Sequence, residues 1–348
     1  MPANIPPQRL AFIGGFGHHY LRGALDDQAI DIEAVAVAAD LCDPEATRRK
    51  FQRELEAGAQ WYDDPVRMLD EFKPTAANVG GVYAHDAPIT LAALERDIPV
   101  VAEKPIAVTW EEYRALRDAA QRAGRVLLSE FNFRSHPAFR AARQAVRDGR
   151  LGTPVLATAQ KSYRFGESRP EFYKRREDYG STLLWVASHG VDAIYFTTEQ
   201  PFTCVCGHHG NLAKPDYEQM EDHVAVVYQL ANNGTAVVHG DLLRPEAAKT
   251  HGDDRLRIIG SEGLIEIRDQ RCTLTTHDQP EQDITDQTEA GPPHRDMLEA
   301  IEQRQRGYPG GNDIYNTADS LTLAAALLAG RDACDRGQVV PIDTKPWL

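Results

Sequence analysis

The chain has few cysteines, no cluster of basic residues and no long apolar run among its 348 residues. Its five cysteines are sparse and odd in number, which is typical of a reducing compartment. No stretch approaches the roughly 18 apolar residues of a membrane-spanning helix. Residues 1–7 have neither the basic nor the apolar region of a secretory signal. We therefore expect a cytoplasmic protein without a membrane partner.

The charge is strongly acidic, with a formal net value of −14 and no basic block. This balance excludes a nucleic-acid partner and argues against a strongly anionic substrate. Cys204 and Cys206 alternate on an apolar stretch, and His208 and His209 follow them. Because no second cysteine pair stands at zinc-ligand spacing, we expect no metal site.

The first half of the chain alternates short apolar runs with helical patterns. The runs cover residues 10–13, 32–39, 76–79, 100–102 and 126–131, and the helical patterns cover 20–29, 43–56, 87–96 and 109–123. Thr109 and Glu112 form a capping box at the start of the last of these helices. This alternation predicts an α/β domain with a doubly wound parallel sheet of the Rossmann type.

A glycine turn ends the first predicted strand, as Gly14-Gly15-Phe16-Gly17, and His18 follows it. Such a turn lets the backbone approach a pyrophosphate. Asp40 ends the second predicted strand, 23 residues after Gly17, at the spacing of a carboxylate that binds a dinucleotide ribose. Because Tyr20 stands where a third small residue is expected, a tight turn without a ligand stays an alternative.

Asp40 also bears on the choice of dinucleotide. A carboxylate at this position favours NAD, because it repels the 2′-phosphate of NADP. The nearby Arg48 and Arg49 leave NADP open.

The pattern changes in the second half, where strands follow one another with few intervening helices. The predicted strands are 155–163, 202–206, 223–230, 235–242, 255–259 and 263–267, and the predicted helices are 183–196 and 318–334. Asn232-Asn233-Gly234 is a hairpin signal between two of the strands. We expect an NAD(P)-binding Rossmann domain over residues 1–131. A C-terminal α+β domain with a mostly antiparallel sheet follows over 132–348.

Glu103-Lys104-Pro105 ends the apolar run 98–102 and therefore places a lysine at the tip of a buried strand. Strand tips of open parallel sheets carry the chemistry of α/β proteins. A partly desolvated lysine can exchange a proton near neutral pH, as the interconversion of an alcohol and a ketone requires. The alternative is a solvated loop lysine beside a proline that ends the strand.

The chain resembles the Gfo/Idh/MocA family of nicotinamide-dependent sugar and cyclitol oxidoreductases over nearly its whole length. The resemblance rests on residues 14–17 (GGFG), 92–94 (AAL), 101–106 (VAEKPI), 132–134 (NFR), 148–152 (DGRLG), 188–192 (SHGVD) and 259–263 (IGSEG). It implies that the sheet of the C-terminal domain is large and open-faced, and that this sheet forms the interface of a homodimer or homotetramer. It also implies that Lys104 contacts the substrate and the nicotinamide ribose and moves the proton. Glu103 then lies in the cofactor pocket, and His189 is the second catalytic residue.

One position departs from the family pattern. Many members have an aspartate four residues before the histidine, and this chain has Trp185. An indole can only stack and donate one hydrogen bond, so Trp185 indicates a substrate with an apolar or flat face, or a substrate bound in a different pose. Core packing of Trp185 is the alternative. Asp192, three residues after His189, could supply the missing carboxylate, and a helix cap or a buried salt bridge is the alternative.

Three further residues are candidates for the site. His85 could line the nicotinamide pocket or lie in an ordinary loop. Arg134 could bind substrate or cofactor, or tie the domains together. Tyr163 begins an aromatic and basic segment that could cover the site entrance, with a solvated loop as the alternative.

These observations predict an NAD(P)-dependent oxidoreductase that transfers hydride between nicotinamide and a secondary alcohol or ketone of a sugar, cyclitol or related polyol. Two alternatives stay open. The first is a non-catalytic sensor that binds a dinucleotide or a sugar, as Trp185 and the irregular glycine turn allow. The second is a redox-neutral enzyme with tightly bound NAD.

Overall fold

The computed structural model describes residues 5–40, 42–123, 126–305 and 311–343. The chain divides into two compact units. The first unit contains Met1–Glu130 and Pro292–Ala324, and the second contains Phe131–Gly291 and Ala325–Leu348. None of the helices in the described ranges combines the length and the apolar character that a membrane crossing requires.

A six-stranded sheet forms the centre of the first unit. Its strands are β1 (Gln8–Ile13), β2 (Ile32–Ala38), β3 (Gln60–Tyr62), β4 (Ala76–Val79), β5 (Val100–Ala102) and β6 (Leu127–Ser129). They are all parallel and lie in the order β3-β2-β1-β4-β5-β6. The order reverses between β1 and β4, so a crevice opens there at the carboxyl ends of the strands.

Five helices connect these strands: α1 (Pro44–Lys50), α2 (Gln52–Glu56), α3 (Pro65–Phe72), α4 (Tyr83–Leu94) and α5 (Trp110–Ala123). The sequence predicts one helix over 43–56, and the structure interrupts it at Phe51, which is fully buried and stacks on Phe12 at 5.3 Å. The predicted capping box of α5 is confirmed. The Thr109 N–H donates to Glu112 Oε2 at 2.9 Å, and the Glu112 N–H donates to Thr109 Oγ1 at 3.2 Å.

The connection after β1 differs from its prediction. The helical pattern over 20–29 forms a 3-10 helix, Tyr20–Asp26, instead of an α-helix. His19, just before it, has a left-handed φ of 55°. The N–H group of Leu21 donates to the side chain of Asn78 at 3.1 Å. Long-range side-chain acceptors therefore satisfy backbone groups at the start of this helix, and an α-helical turn is not needed there.

The second unit is built on a nine-stranded mixed sheet. Its strands are β7 (Pro154–Tyr163), β8 (Phe202–Gly210), β9 (His223–Leu230), β10 (Thr235–Asp241), β11 (Gly252–Gly260), β12 (Gly263–Arg268), β13 (Arg271–Thr276), β14 (Gln282–Asp283) and β15 (Val340–Pro341). They lie in the order β14-β13-β12-β11-β7-β10-β9-β8-β15. Only β7 and β10 pair in parallel among the pairings of these strands, so the sheet is mostly antiparallel, as predicted.

Helices α6 (Pro137–Arg147), α7 (Arg176–Tyr179) and α8 (Ser188–Thr198) belong to this second unit. A π-helical turn, Leu183–Ala187, precedes α8 directly. Gly190 in α8 permits close packing on the sheet, because a Cβ there would lie 2.8 Å from Val238 Cγ1. The predicted fold class, a Rossmann sheet plus a large and mostly antiparallel sheet, is confirmed.

Two helices near the C-terminus complete the fold: α9 (Pro293–Gln305) and α10 (Thr317–Arg336). The sequence predicts a single domain over residues 132–348, whereas Pro292–Ala324 belongs to the first unit of the structure. The physical reason is the burial of apolar side chains. Met297 and Ile301 of α9 belong to the same core as Phe12 of β1 and Leu21 of the 3-10 helix.

Candidate active site

Five glycines form a patch without side chains at the crevice of the first unit. Gly14, Gly15 and Gly17 lie in the turn after β1, and Gly80 and Gly81 follow β4. A Cβ on Gly14 would lie 2.4 Å from Gly81 Cα, and one on Gly17 would lie 2.6 Å from Gly80 Cα. The positions that follow both strands therefore require glycine. Only the first three of these glycines were predicted from the sequence.

Two N–H groups of the glycine turn, those of Phe16 and Gly17, already donate hydrogen bonds within the protein. Phe16 and Gly17 both donate to the carbonyl of Gly80, at 3.0 and 2.7 Å. The next N–H group, of His18, donates to Glu103 Oε2 at 2.6 Å. Those of His19 and Tyr20 donate to the carboxyl oxygens of Glu130, at 3.3 and 2.8 Å. Two carboxyl groups of the protein thus occupy the start of the 3-10 helix.

Glu103 and Glu130 are both fully buried, and their surroundings shift their pKa values in opposite directions. Burial alone raises the pKa of Glu103, but the charge and the hydrogen bonds of His18 and the charge of Lys104 outweigh it and lower the pKa. Burial and the charge of Glu103 raise the pKa of Glu130, despite hydrogen bonds from Asn78, Tyr20 and His19. An ionised carboxylate and a carboxyl group that retains its proton therefore lie together.

Lys104 follows β5 and has no exposed surface. Its Nζ lies 4.0 Å from Glu103 Oε1, and its own N–H group donates to that oxygen at 3.0 Å. The peptide bond between Lys104 and Pro105 is cis. The strand therefore delivers the lysine into the buried polar cluster of Glu103 and Glu130, away from bulk water.

Asp40 and His85 form a second polar group in the first unit. Asp40 is 1% exposed, and its carboxylate accepts hydrogen bonds from the N–H groups of Val82 at 2.6 Å and Cys42 at 3.0 Å. His85 lies in the first turn of α4, with Nδ1 3.5 Å from Asp40 Oδ1. The structure therefore places His85 on a helix beside the predicted ribose carboxylate, so the loop alternative is wrong, and its part in the cofactor pocket stays a prediction.

Two sets of three side chains bring potential metal ligands together. Asp40, Cys42 and His85 form one set, and His18, Glu103 and Glu130 form the other. Within each set the ligand atoms lie within 4.8 Å of one another. Both sets consist largely of residues predicted to bind the cofactor, and the prediction of a protein without a metal stays a prediction.

In the second unit, His189 lies in the first turn of α8 and is 2% exposed. Its ring packs edge-on against Phe131 at 5.9 Å and tilted against Phe133 at 5.2 Å. Trp185 lies in the preceding π-helical turn and is also buried. The wider turn changes the register, so the four-residue spacing no longer places Trp185 and His189 on one face of a regular α-helix.

Arg134 and Asp192 bind each other. Arg134 Nε and Nη2 lie 2.8 and 2.7 Å from Asp192 Oδ1, and both side chains are buried. The ion pair joins the 3-10 helix Asn132–Ser135 to α8 and thereby positions the helix that carries His189. This geometry corresponds to the salt-bridge alternative for Asp192. It does not supply the free carboxylate that Trp185 replaces.

Tyr163 ends β7 and stacks on His251 at 4.8 Å. Lys161, two residues earlier, was not foreseen as a site residue. Its Nζ lies 4.6 Å from the centre of the Phe133 ring and forms an ion pair with Asp254 at 2.7 Å. Burial lowers the pKa of Lys161, although Asp254 opposes this effect. Phe133 thus contacts both His189 and Lys161.

Four residues near these groups were not predicted from the sequence: Glu130, Gly80, Gly81 and Lys161. Glu130 lies within the predicted buried strand 126–131, and a carboxyl group inside an apolar run was a usable signal. The two consecutive glycines after the third predicted strand were another signal. Lys161 gave none, because it looks like an ordinary polar residue of an alternating strand.

The chain matches two family models. One, described as an oxidoreductase family with an NAD-binding Rossmann fold, covers residues 9–131. The other, the GFO/IDH/MocA C-terminal domain, covers residues 139–266. The chain therefore belongs to the GFO/IDH/MocA family of oxidoreductases, as the resemblance predicted.

Three known proteins illustrate the similarity. D-glucoside 3-dehydrogenase of Escherichia coli (strain K12) is 31% identical over 172 residues, which are 49% of this chain and 48% of that protein. Inositol 2-dehydrogenase of Rhizobium meliloti (strain 1021) is 27% identical over 311 residues, 83% of this chain and 88% of that protein. A solved structure from Thermotoga maritima, described as a candidate oxidoreductase, superposes with a TM-score of 0.85 at 31% identity. The match covers 96% of this chain and 100% of that one. The chain spans 48% to 65% of the length of the first three curated relatives.

The first unit fits a bound dinucleotide on three observations. The crevice lies where the strand order reverses. The backbone of the glycine patch is not covered by side chains there. A buried carboxylate, that of Asp40, follows the end of β2. The Asp40 carboxylate is held by backbone N–H groups and would accept from ribose hydroxyls. The glycine patch would face the pyrophosphate.

Proposed function

We propose that this protein is an NAD-dependent oxidoreductase acting on a secondary alcohol, or the corresponding ketone, of a sugar, cyclitol or related polyol. The observation that carries the proposal is the fully buried Lys104 at the end of β5 of a Rossmann sheet, beside Glu103. The names of the similar dehydrogenases of glucosides and inositols support the substrate class. Asp40 supports NAD over NADP, since a carboxylate repels a 2′-phosphate.

Each site residue has a chemical task in this proposal. The nicotinamide, when bound, supplies a carbon that accepts or donates hydride. Lys104 takes the proton of the substrate hydroxyl as the alcohol becomes a ketone and returns it in the reverse direction. His189 hydrogen-bonds the substrate and assists this proton transfer. Glu103 holds His18 and the glycine turn in place, and the ion pair of Arg134 with Asp192 positions α8.

Self-association belongs to the proposal as well. Along β9, buried side chains alternate with the exposed Ala225, Val227 and Gln229, so this strand has one exposed face. We propose that this face supports a homodimer or homotetramer of a cytoplasmic enzyme. Light scattering of the purified protein measures the assembly.

The test of the activity compares the wild type with Lys104→Met, which removes the amine and keeps the length of the side chain. The wild type should change the nicotinamide absorbance with NAD and at least one member of a panel of inositols and glucosides. Loss of a proton-transfer group lowers kcat by about 10²- to 10⁴-fold. NAD affinity, measured by calorimetry, should change far less.

Three other outcomes are informative. Near-wild-type turnover of Lys104→Met with NAD bound would contradict the role of this lysine. Binding of NAD or a polyol without turnover in the wild type would indicate the sensor. NAD retained through purification, with substrate converted but no net change in absorbance, would indicate the redox-neutral enzyme.

A further inference from the structure

Lys50, at the end of α1, reaches the glycine turn. Its Nζ donates a hydrogen bond to the carbonyl oxygen of Gly17, the last glycine of the turn. The side chain is half-buried, and burial lowers its pKa, whereas the negative charge of Glu103 opposes this effect. Its ammonium group therefore lies close enough to the start of the 3-10 helix to interact with the Glu103 carboxylate there.

The adjacent basic residues of α1 do not share this position. The Arg48 guanidinium lies over the ring of Trp61, 3.7 Å from its centre, and 3.8 Å from Asp63. Arg49 is 71% exposed, and its nearest carboxylate, Asp43, is 4.0 Å away. Among these three consecutive cations, only Lys50 turns toward the glycine patch.

A pyrophosphate at the glycine patch needs donors or positive charge, and the usual source is restricted in this protein. In dinucleotide-binding folds the free N–H groups at a helix start hold the phosphates. Here the N–H groups of Phe16 and Gly17 donate to the carbonyl of Gly80, and those of His18, His19 and Tyr20 donate to carboxyl groups. The N–H groups at the start of the 3-10 helix are therefore bound to two carboxyl groups of the protein itself, those of Glu103 and Glu130.

From this geometry we infer that Lys50 is the pyrophosphate-binding residue of the dinucleotide site. It binds the phosphates in place of the N–H groups at the start of the helix. The inference rests on the proposed function, because it assumes that the glycine patch holds a dinucleotide. When the ligand binds, the Lys50 ammonium exchanges its hydrogen bond with Gly17 for a charge-assisted one with a phosphate oxygen. The side chain needs only to rotate, since it already ends at the turn.

The test measures binding to the full-length protein instead of turnover. Three ligands separate the parts of the site: adenosine without phosphate, ADP-ribose with the pyrophosphate, and NAD. Calorimetry gives the affinities of ADP-ribose and NAD, and saturation-transfer NMR follows the weak binding of adenosine. Lys50→Met removes the charge, Lys50→Arg keeps it, and Arg49→Met removes an adjacent exposed charge as the matched control.

Lys50→Met should lose about tenfold to a hundredfold in affinity for ADP-ribose and NAD, the size of one charge-assisted hydrogen bond. Its binding of adenosine should be unchanged. Lys50→Arg should recover most of the affinity, and Arg49→Met should stay within about twofold of the wild type for ADP-ribose.

The contradicting results are distinct. ADP-ribose affinity of Lys50→Met within twofold of the wild type overturns the inference and leaves the proposed function standing. Equal losses of affinity for adenosine and ADP-ribose also overturn it, because they would mean that Lys50 maintains the conformation of the glycine turn instead of binding phosphate. A wild type that binds neither ADP-ribose nor NAD overturns the proposed function and this inference together.

Discussion

At the scale of single residues, the surroundings shift the pKa values of three buried acids of the first unit: Glu103, Glu130 and Asp86. Burial raises the pKa of Asp86 well above its usual range, and its Oδ1 accepts a hydrogen bond from the Gly81 N–H group at 2.7 Å. Glu103 has cations nearby and stays ionised, whereas Glu130 has N–H donors and a neighbouring negative charge. Identical carboxyl groups thus acquire different protonation states from their surroundings.

Replacing Glu130 by glutamine tests this assignment through stability. Burial and Glu103 raise the pKa of Glu130 to about 8 in the folded protein, against about 4.3 in the unfolded chain. Between these values the folded state binds more protons than the unfolded state, so this group makes stability fall as pH rises. Melting temperatures of the wild type and Glu130→Gln should therefore diverge with increasing pH, with the variant losing less.

The charge-matched control for this comparison is Glu45→Gln, which removes an exposed carboxylate on α1. If the melting temperatures of the wild type and Glu130→Gln changed in parallel from about pH 5 to about pH 9, Glu130 would not hold its proton in this range.

At the scale of helices and strands, local chemistry explains most boundaries. Asp43 and Asp64 each accept a hydrogen bond from an N–H group of the first helical turn, and a proline follows each of them. These N-caps can be recognised from a few neighbouring residues. The 3-10 helix Tyr20–Asp26 and the π-helical turn Leu183–Ala187 cannot, because their geometry depends on packing partners far along the chain.

The cap of α3 gives a prediction at this scale. Asp64 Oδ1 accepts from the N–H groups of Val66 and Arg67 at 2.8 and 3.3 Å. Asp64→Ala should lower the free energy of unfolding by about 1 kcal/mol, and Asp64→Asn should retain most of it. Urea denaturation measures both. Asp63→Ala, at an exposed neighbouring carboxylate, should cost no more than about 0.5 kcal/mol. Equal losses at positions 63 and 64 would rule out a cap specific to Asp64.

At the scale of the whole molecule, residues late in the sequence complete the first unit. Asp27 forms ion pairs with His294 and Arg295 of α9, at 2.8 and 2.5 Å. The N–H groups of Leu127 and Ser129 on β6 donate to Thr317 and Ser320 of α10, both at 3.0 Å. The Rossmann sheet therefore depends on residues some 190 positions away for part of its packing.

Truncating Met297, which is fully buried in this core, tests that dependence. Met297→Ala should cost about 2–5 kcal/mol, because it removes buried methylene and methyl groups and leaves a cavity. Hydrogen exchange followed by mass spectrometry should show faster exchange in peptides of α9 and of β1 together. Glu299→Ala on the same helix is the control. Faster exchange confined to α9 would mean that this helix lies outside the cooperative core of the first unit.

The sequence by itself determined the alternation of strands and helices in the first half, the run of strands in the second, and the helix caps. It also placed Lys104 at the end of a buried strand. These features follow from hydrophobic period, turn residues and capping groups that lie within a few positions of one another.

Only the tertiary structure decided how the polar groups pair. Glu103 and Glu130 accept hydrogen bonds from N–H groups 85 and 111 residues away, and Arg134 pairs with Asp192 across 58 positions. Lys50 likewise reaches Gly17 across 33 positions. No local pattern records such partners, because a buried charge is satisfied by whichever group the folded backbone brings to it.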